Sequence, residues 1–429
     1  MTTDRSHSNL WHASAKPAPE TTPLTDTASA DVAVIGGGFT GVSTALHLAE
    51  RGATVAVLEA EMIGFGASGR NVGLVNAGMW TMPDDLIATL GQEAGERLLT
   101  ALGNGPSLVF DLIERFDFEC EAVRNGTLHL AIGSAGVAEI SARQAQWKRH
   151  GAPVETLDET AAKALTGAEG FTGALLDRRA GTIQPLSYVR GLARAALDRG
   201  ARIYTHSPVV RAAEEGDGWR LMTPQGEVRA KTVVVATDAY GRMIDGMPFT
   251  AHTQELTILP YFQFATRPLS ANLAGSILPE RQGCWDTGTV MTSFRMDKQN
   301  RLIFGSIGRL DAIAAGTHRA YAQRALRTHF PQIGATEFEH GWDGRIGMTV
   351  DALPRLHRLA ANVYSVGGYN GRGIAPGTVF GRALAAHIAG EPQALPLAET
   401  PIVPDRLRQL KSAFFHAGAQ AKHFIDRRI

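Results

Sequence analysis

Short, wholly apolar runs alternate with helical periodicity at both ends of this 429-residue chain, while its middle favours period-two alternation. Residues 32–35 form a brief apolar run suited to a strand buried on both faces. Gly36-Gly37-Gly38-Phe39-Thr40-Gly41 follows, then a predicted helix over 42–51 that Gly52 closes, and a second apolar strand over 54–58 ending in Glu59. Residues 83–116 repeat Leu86, Leu90, Leu98, Leu102, Phe110 and Ile113 at helical spacing, interrupted at Gly103-Asn104-Gly105-Pro106. Residues 126–132 alternate as a strand, and a helix follows over 137–149. Strands are predicted at 202–204, 209–213, 219–223 and 228–230, the last two pairing around Pro224-Gln225-Gly226, with a buried run at 232–236. Residues 252–308 read as antiparallel sheet, 291–296 and 301–305 being joined by Asp297-Lys298-Gln299-Asn300. A helix over 318–330 stops at Pro331, 363–366 is the last core strand, and 378–389 is the last core helix, closed by Gly390.

Strand, G-x-G-x-x-G, helix, strand and acid in that order describe a dinucleotide site. Gly36 permits the tight turn, Gly38 lets backbone approach a pyrophosphate, and Gly41 lets the helix pack closely on the strand. The helix N-terminus offers free N–H groups and positive dipole to the anion. Glu59 can accept from both ribose hydroxyls, which points to an adenine dinucleotide with an unphosphorylated ribose. A nicotinamide dehydrogenase would usually continue into a third βαβ unit. Here a second loop rich in glycine intervenes, Ile63-Gly-Phe-Gly-Ala-Ser-Gly-Arg-Asn-Val-Gly73. No second strand-plus-G-x-G-x-x-G element serves a nicotinamide nucleotide, so an NAD(P)H-dependent flavin reductase is disfavoured.

GGGFTG, VLEAEMIGFGASGRN, GWDGRIGMTVDALPRL and YSVGGYNGRGIAPG together make the chain similar to the D-amino-acid-oxidase-like flavoproteins. Within them it resembles the gamma-glutamylputrescine oxidase-like branch, from about residue 11 to about residue 390. The resemblance implies an α/β fold: a Rossmann-like, glutathione-reductase-like FAD-binding domain with an inserted α+β antiparallel-sheet substrate domain. Residues 173–177 and Gly181-Thr-Ile-Gln-Pro-Leu186 resemble that family's short returning strand before a long helix, here 187–199. The expected division is a loose N-terminal arm (1–30) docked through Leu10 and Trp11; a discontinuous FAD-binding domain (31–82, 150–250 and 340–395); a substrate domain (83–149 and 251–339); and a tail (396–429). Strands alternating with helices around a sheet-rich middle point the same way without the family.

Composition removes other classes. Forty-two basic and forty-two acidic residues give net zero, so no basic stripe argues for nucleic acid. Cys120 and Cys284, the two cysteines, lie far apart and exclude a disulfide framework, a four-cysteine cluster and a cysteine zinc site; no metal is expected. No apolar span approaches the roughly 18 residues that cross a bilayer. Residues 1–30 lack an apolar signal core and a twin arginine, so the cytoplasm is the expected location.

The resemblance assigns residues to FAD one by one. Ser68, Gly69, Arg70, Asn71 and Gly73 would line the pyrophosphate and flavin edge, with Arg70 screening phosphate or simply solvated. Val209 fits the position whose backbone grips adenine, and Ala236-Thr237 ends a strand beside the dinucleotide. Thr349 lies in the matching segment near the flavin ring. Gly368, Gly371, Arg372, Gly373 and Ile374 belong to a loop whose N–H groups reach the flavin pyrimidine carbonyl. Sarcosine-oxidase-like relatives attach FAD through a cysteine near a segment resembling Gly347-Met-Thr349; no cysteine stands here, so non-covalent FAD is expected. A carboxylate-holding lysine after the C-terminal loop is replaced by Ile374-Ala375-Pro376. The oxygen-activating lysine is missing too, from Arg301-Leu-Ile-Phe-Gly305, and Lys298 sits in a turn. Substrate-contact candidates are Trp80, Tyr261, Gln263, Arg295, Trp342, Arg345 and Arg372, of which Arg345 and Arg372 could hold a carboxylate bidentately. His47, inside the first helix, reads as packing.

The expected activity is FAD-dependent oxidation of an amine or amino-acid C–N bond to an imine. The substrate would be a secondary amine amino acid of the L-pipecolate kind, or a gamma-glutamylated or N-substituted amine, with oxygen or a quinone or carrier as acceptor. Alternatives are a flavin dehydrogenase feeding a quinone or protein carrier, and a flavin-bearing subunit of a larger complex. The tail mixes Leu407, Leu410, Phe414 and Phe415 with basic residues, which suits docking on its own domain or a helix that meets a membrane surface or a partner.

Overall fold

The computed structural model describes residues 9–426 except 242–243, 246–247 and 393–394. Residues 1–8 of the expected arm and 427–429 of the expected tail lie outside the described residues. The first sheet runs Arg355–Ala360, Val363–Gly367, Glu227–Val235, Thr27–Ile35, Val55–Leu58, Arg202–Tyr204. From Val363–Gly367 onward the neighbours pair in parallel. Period-two geometry splits the central strands between two cores. Val32, Val34, Val55 and Val57 pack under helices Phe39–Ala49, Pro185–Asp198 and Ile374–Ile388. Ala33, Ile35, Ala56 and Leu58 meet Trp219 and Leu221 on the other face. There Arg211–Glu215 and Gly218–Met222 form an antiparallel layer that ends in Glu227–Val235, one strand covering both expected short runs.

A second sheet runs Phe338–Met348, Thr257–Thr266, Leu302–Ile307, Thr292–Met296, Gly283–Asp286, Thr127–Ala131, Gly173–Asp177, Val154–Asp158. Its neighbours are antiparallel except Gly283–Asp286 and Thr127–Ala131, which run parallel. Phe262, Phe264, Phe294 and Phe304 fill its core with Tyr321 and Ala325 of helix Ala315–His329.

Sheet membership corrects the expected division. Val154–Asp158 and Gly173–Asp177, placed within the nucleotide piece 150–250, pair in the second sheet. Phe338–Met348, assigned to the nucleotide piece from residue 340, is that sheet's edge strand along Thr257–Thr266. Residues 83–116 form three helices, Pro83–Leu90, Gln92–Gly103 and Gly105–Arg115, and share the first core. A Cβ at Gly105 would lie 3.0 Å from the Ala375 side chain, so the third of these helices approaches Ile374–Ile388 closely.

Both chain ends are docked within the described residues. Helix Leu10–Ser14 buries Leu10 and Trp11 completely, as expected of the arm. Helix Arg408–Ile425 lies over strand Thr257–Thr266, with the Ile258 N–H donating to Ser412 Oγ at 2.9 Å.

Candidate active site

The carboxyl ends of the parallel strands carry the first glycine turn. Gly36 adopts φ +108°, its N–H donates to Leu58 O at 2.9 Å, and a Cβ there would sit 2.8 Å from Ala236 O. The Ala236 N–H donates to Ile35 O, and Thr237 Cγ2 lies next to the same glycine, so Ala236 and Thr237 wall the turn. A Cβ at Gly41 would fall 2.0 Å from Gly36 O, an overlap with backbone that nothing can relieve. Gly38 is different: its nearest obstacle is Ser68 Oγ at 2.9 Å, the end of a side chain. Helix Phe39–Ala49 is buried throughout and has no side-chain cap; Ser68 Oγ instead accepts from the Phe39 N–H at 3.0 Å. Glu59 Oε2 accepts from the Gly37 N–H at 2.6 Å and Oε1 from the Glu61 N–H at 2.9 Å, which stretches the carboxylate across the turn. Val209 is buried with Ile35 and Leu58 on the far face.

The loop bearing Ser68, Gly69, Arg70, Asn71 and Gly73 is fastened from several directions. Asn9 Nδ2 donates to Gly69 O at 3.0 Å and Trp11 Nε1 to Asn71 O at 2.8 Å. Trp342 Nε1 and Gln263 Nε2 donate to Arg70 O at 3.0 and 3.3 Å. The Arg70 guanidinium donates to Phe65 O and Asp343 O, bracing the loop against the edge strand. Arg295, buried beneath it, donates to Gly73 O and Ile183 O, and burial brings its pKa down to about 10. Gln263, Arg295 and Trp342 therefore hold the loop.

The second glycine loop, residues 367–374, arrives beside the first. Tyr369 OH and Thr40 Oγ1 are 2.8 Å apart. Helix Ile374–Ile388, which begins at the end of this loop and four residues earlier than periodicity predicts, packs on helix Phe39–Ala49 through Gly377 and Gly381. Asp238 Oδ1 accepts from the Gly368 N–H at 2.7 Å, and a Cβ at Gly367 would meet the same oxygen at 2.7 Å. Burial raises the Asp238 carboxyl pKa. Asn370 Oδ1 accepts from the Thr349 N–H at 2.9 Å, and a Cβ at Gly368 would lie 2.6 Å from Thr349 Cγ2. Gly371 has φ +87°, and Gly373 precedes Ile374 at the helix start.

The substrate-contact candidates separate. Arg372 is buried, donates to Ala77 O and Met79 O at 3.1 and 3.0 Å, and stacks over Trp80. Burial brings its pKa down to about 9. Arg345 is exposed and lies over the Tyr240 ring, while its N–H donates to Tyr240 OH at 3.0 Å. Tyr261 is buried in the second sheet with its hydroxyl donating to Ser293 Oγ at 2.9 Å. His47 is packing: burial holds it near a pKa of about 4, and Nδ1 meets Ser43 O. Asp238, Tyr240, Tyr369 and Asn370 escaped the sequence reading of roles, although the last two stand inside a motif already singled out. Two open clefts, about 250 and 380 Å³, contain none of these candidates. Among the described residues no group of three or more histidines, cysteines or acids is placed to hold a metal.

A glycine turn at a helix start, an acid closing the next strand and a second glycine loop against the first define a flavin-type dinucleotide-binding oxidoreductase. The family model for FAD dependent oxidoreductases (DAO) matches residues 31–387, and the chain belongs to that family, whose cofactor is FAD. It is 33% identical over 400 residues to the gamma-glutamylputrescine oxidoreductase of Escherichia coli, covering 90% of each chain. It is 31% identical over 412 residues to the probable oxidoreductase OrdL of Haemophilus influenzae, covering 94% of each. Glycine oxidase from Geobacillus kaustophilus shares the fold, with TM-score 0.69, 23% identity, 88% of this chain and 100% of that one. The glycine positions fit the cofactor, because Cβ atoms at Gly36 and Gly41 would collide with backbone oxygens of Ala236 and Gly36, so only glycine keeps the tight turn that a dinucleotide needs.

Proposed function

We propose that this chain oxidises the C–N bond of an amine or amino acid to an imine, which water hydrolyses, with FAD held without a covalent link. The observation that carries the reading is the meeting of the glycine loops 36–41 and 367–374, joined by Thr40 and Tyr369, at the carboxyl ends of the parallel strands. On this reading Gly36, Gly38, Phe39, Thr40 and Gly41 hold pyrophosphate at the helix N-terminus, and Glu59 accepts from ribose. Val209, Ala236 and Thr237 wall the adenosine half, and Ser68, Gly69, Arg70, Asn71 and Gly73 the flavin edge. Thr349, Gly368, Gly371, Arg372, Gly373 and Ile374 line the pyrimidine side.

When bound, FAD supplies the two-electron acceptor. The substrate gives up a proton from nitrogen and a hydrogen with its electron pair from the adjacent carbon, so C–N becomes C=N. No acid–base triad is needed; the residues orient a neutral amine and keep water out. The substrate is a secondary amine amino acid of the L-pipecolate kind, or a gamma-glutamylated or N-substituted amine, the latter supported by the Escherichia coli relative. A second reading, electron transfer to a quinone or carrier instead of oxygen, is favoured by the absence of lysine from strand Leu302–Ile307. The test supplies the FAD-loaded protein with L-pipecolate, gamma-glutamyl amines and simple diamines, with an artificial electron acceptor, and traps the carbonyl product. One carbonyl per two electrons from at least one class is expected; none from any class refutes the assignment.

A further inference from the structure

Large apolar side chains are exposed singly over most of the surface, but they gather at one place. Among the described residues twelve are exposed, and seven of the twelve lie between Val403 and Ile425. Single exposed apolar residues are ordinary, whereas a contiguous group marks a surface that something covers. The spacing along helix Arg408–Ile425 makes the group contiguous. From its N-cap onward, Leu407, Leu410, Phe414, Ala417, Ala421 and Phe424 recur every three or four residues and so share one face. All six are exposed, Leu410 and Phe414 by 68% and 71%. The opposite face is the one that docks. There Ser412 Oγ accepts from the Ile258 N–H, and Ala419 and His423 are buried. The apolar stripe therefore points away from the protein.

Charge decides what suits that stripe. Residues 405–428 contain six basic residues against two acids, in a chain whose total charge is zero. The two acids stand at the ends of the helix: Lys411 Nζ meets Asp405 at 2.7 Å and Lys422 Nζ meets Asp426 at 3.9 Å. Arg406 and Arg408 are left in excess at the start, and the sequence adds Arg427 and Arg428 directly after Asp426. A second copy laid on this face would set positive charge against positive charge. An anionic phospholipid surface accepts both features, its acyl chains the apolar stripe and its phosphates the basic flank. Lysine stems can lie along apolar surface while their ammonium groups reach the phosphates. Among the described residues no helix is long and apolar enough to span a bilayer, so this one would lie in the interface.

We propose that helix Arg408–Ile425 is a membrane-surface helix that seats the enzyme on anionic phospholipid bilayers through its Leu410, Phe414 and Phe424 stripe. Its other face is fixed to strand Thr257–Thr266 of the second sheet, so the whole molecule follows the helix to the bilayer.

The test is sedimentation of the full-length, FAD-loaded protein with vesicles at neutral pH. Vesicles of phosphatidylglycerol with phosphatidylethanolamine are compared with vesicles of phosphatidylcholine. Binding to the anionic vesicles is expected, at least about tenfold weaker binding to the neutral ones, and release as sodium chloride is raised. Leu410→Gln combined with Phe414→Gln should remove at least about tenfold of the affinity. Both side chains are exposed, so bound FAD and the circular dichroism spectrum should not change. Arg406→Gln combined with Lys422→Gln should weaken anionic binding by about fivefold per charge. Absent binding to anionic vesicles, equal binding to neutral ones, or unchanged binding of the Leu410→Gln, Phe414→Gln protein overturns the proposal. So does a chain that ignores vesicles, is a dimer in solution and becomes monomeric in that variant, which would give the stripe to a second copy. Vesicle binding is read without turnover, so it can fail while amine oxidation stands, and the reverse.

Discussion

Three glycines of one turn obey three different constraints, and mutation should separate them. Gly41 faces backbone at 2.0 Å, so Gly41→Val should destabilise by about 3 kcal/mol or more and yield little soluble protein. Gly38 faces only Ser68 Oγ, so Gly38→Val should fold, with an unchanged circular dichroism spectrum, yet be purified colourless. Stoichiometric FAD in folded Gly38→Val would refute the placement of the pyrophosphate. These glycines and Glu59 are legible in sequence because their reasons are local: the turn, the helix start and the strand end lie within about twenty-five residues. Asp238 is not legible, since its partner Gly368 is 130 residues away and no local pattern marks it.

Elements show the same division. The buried strands and the first helix follow from apolar runs, whereas the N-terminal helix is too short for periodicity and is held by Trp11 and Asn9 reaching the loop 60 residues on. The C-terminal helix docks on its own chain, one of the expected readings of the tail, through a polar contact that hydropathy does not show. His423 Nδ1 meets His318 Nδ1 at 2.9 Å and Nε2 meets Ser306 Oγ at 3.3 Å, among Arg324, Lys422, His416 and Asp311. Burial, reinforced by neighbouring positive charge, brings His318 to about 4 and His423 to about 3. Both folded values lie below the ordinary 6.5, so an undocked helix takes up protons that the docked one refuses. Docking is therefore at full strength above about pH 6.5 and weakens as pH falls toward 4, by up to about 1.4 kcal/mol per pH unit for each histidine. Hydrogen exchange of this helix, corrected for intrinsic rates, should lose protection between pH 7.5 and pH 5. Equal protection at both would show that the pair does not govern docking. Leu410, Phe414 and Phe424 remain exposed on the same helix.

At the scale of the molecule, two sheets assembled from interleaved segments are foreseeable from the alternation of strands and helices, but their boundaries are not. Strands Val154–Asp158 and Gly173–Asp177 join the second sheet by pairing with Thr127–Ala131 and with each other, a choice made by register and not by composition. Among the described residues no helix is long and apolar enough to cross a membrane. Arg345, Ile346 and Gly347 occupy the neighbourhood where the resemblance would put a linking cysteine, and both cysteines are buried elsewhere, so acid precipitation should release all the yellow colour into the supernatant. Colour kept in the pellet would reveal a bond through another side chain.

The central claim is that the two joined glycine loops hold a flavin that takes electrons from an amine. Anaerobic titration of the purified, yellow protein with amines and amino acids, followed at the flavin absorption band, tests it most directly. The account predicts full bleaching by about one equivalent of at least one amine, and return of the band when an electron acceptor is admitted. A flavin that no amine or amino acid bleaches, while dithionite reduces it completely, would contradict it.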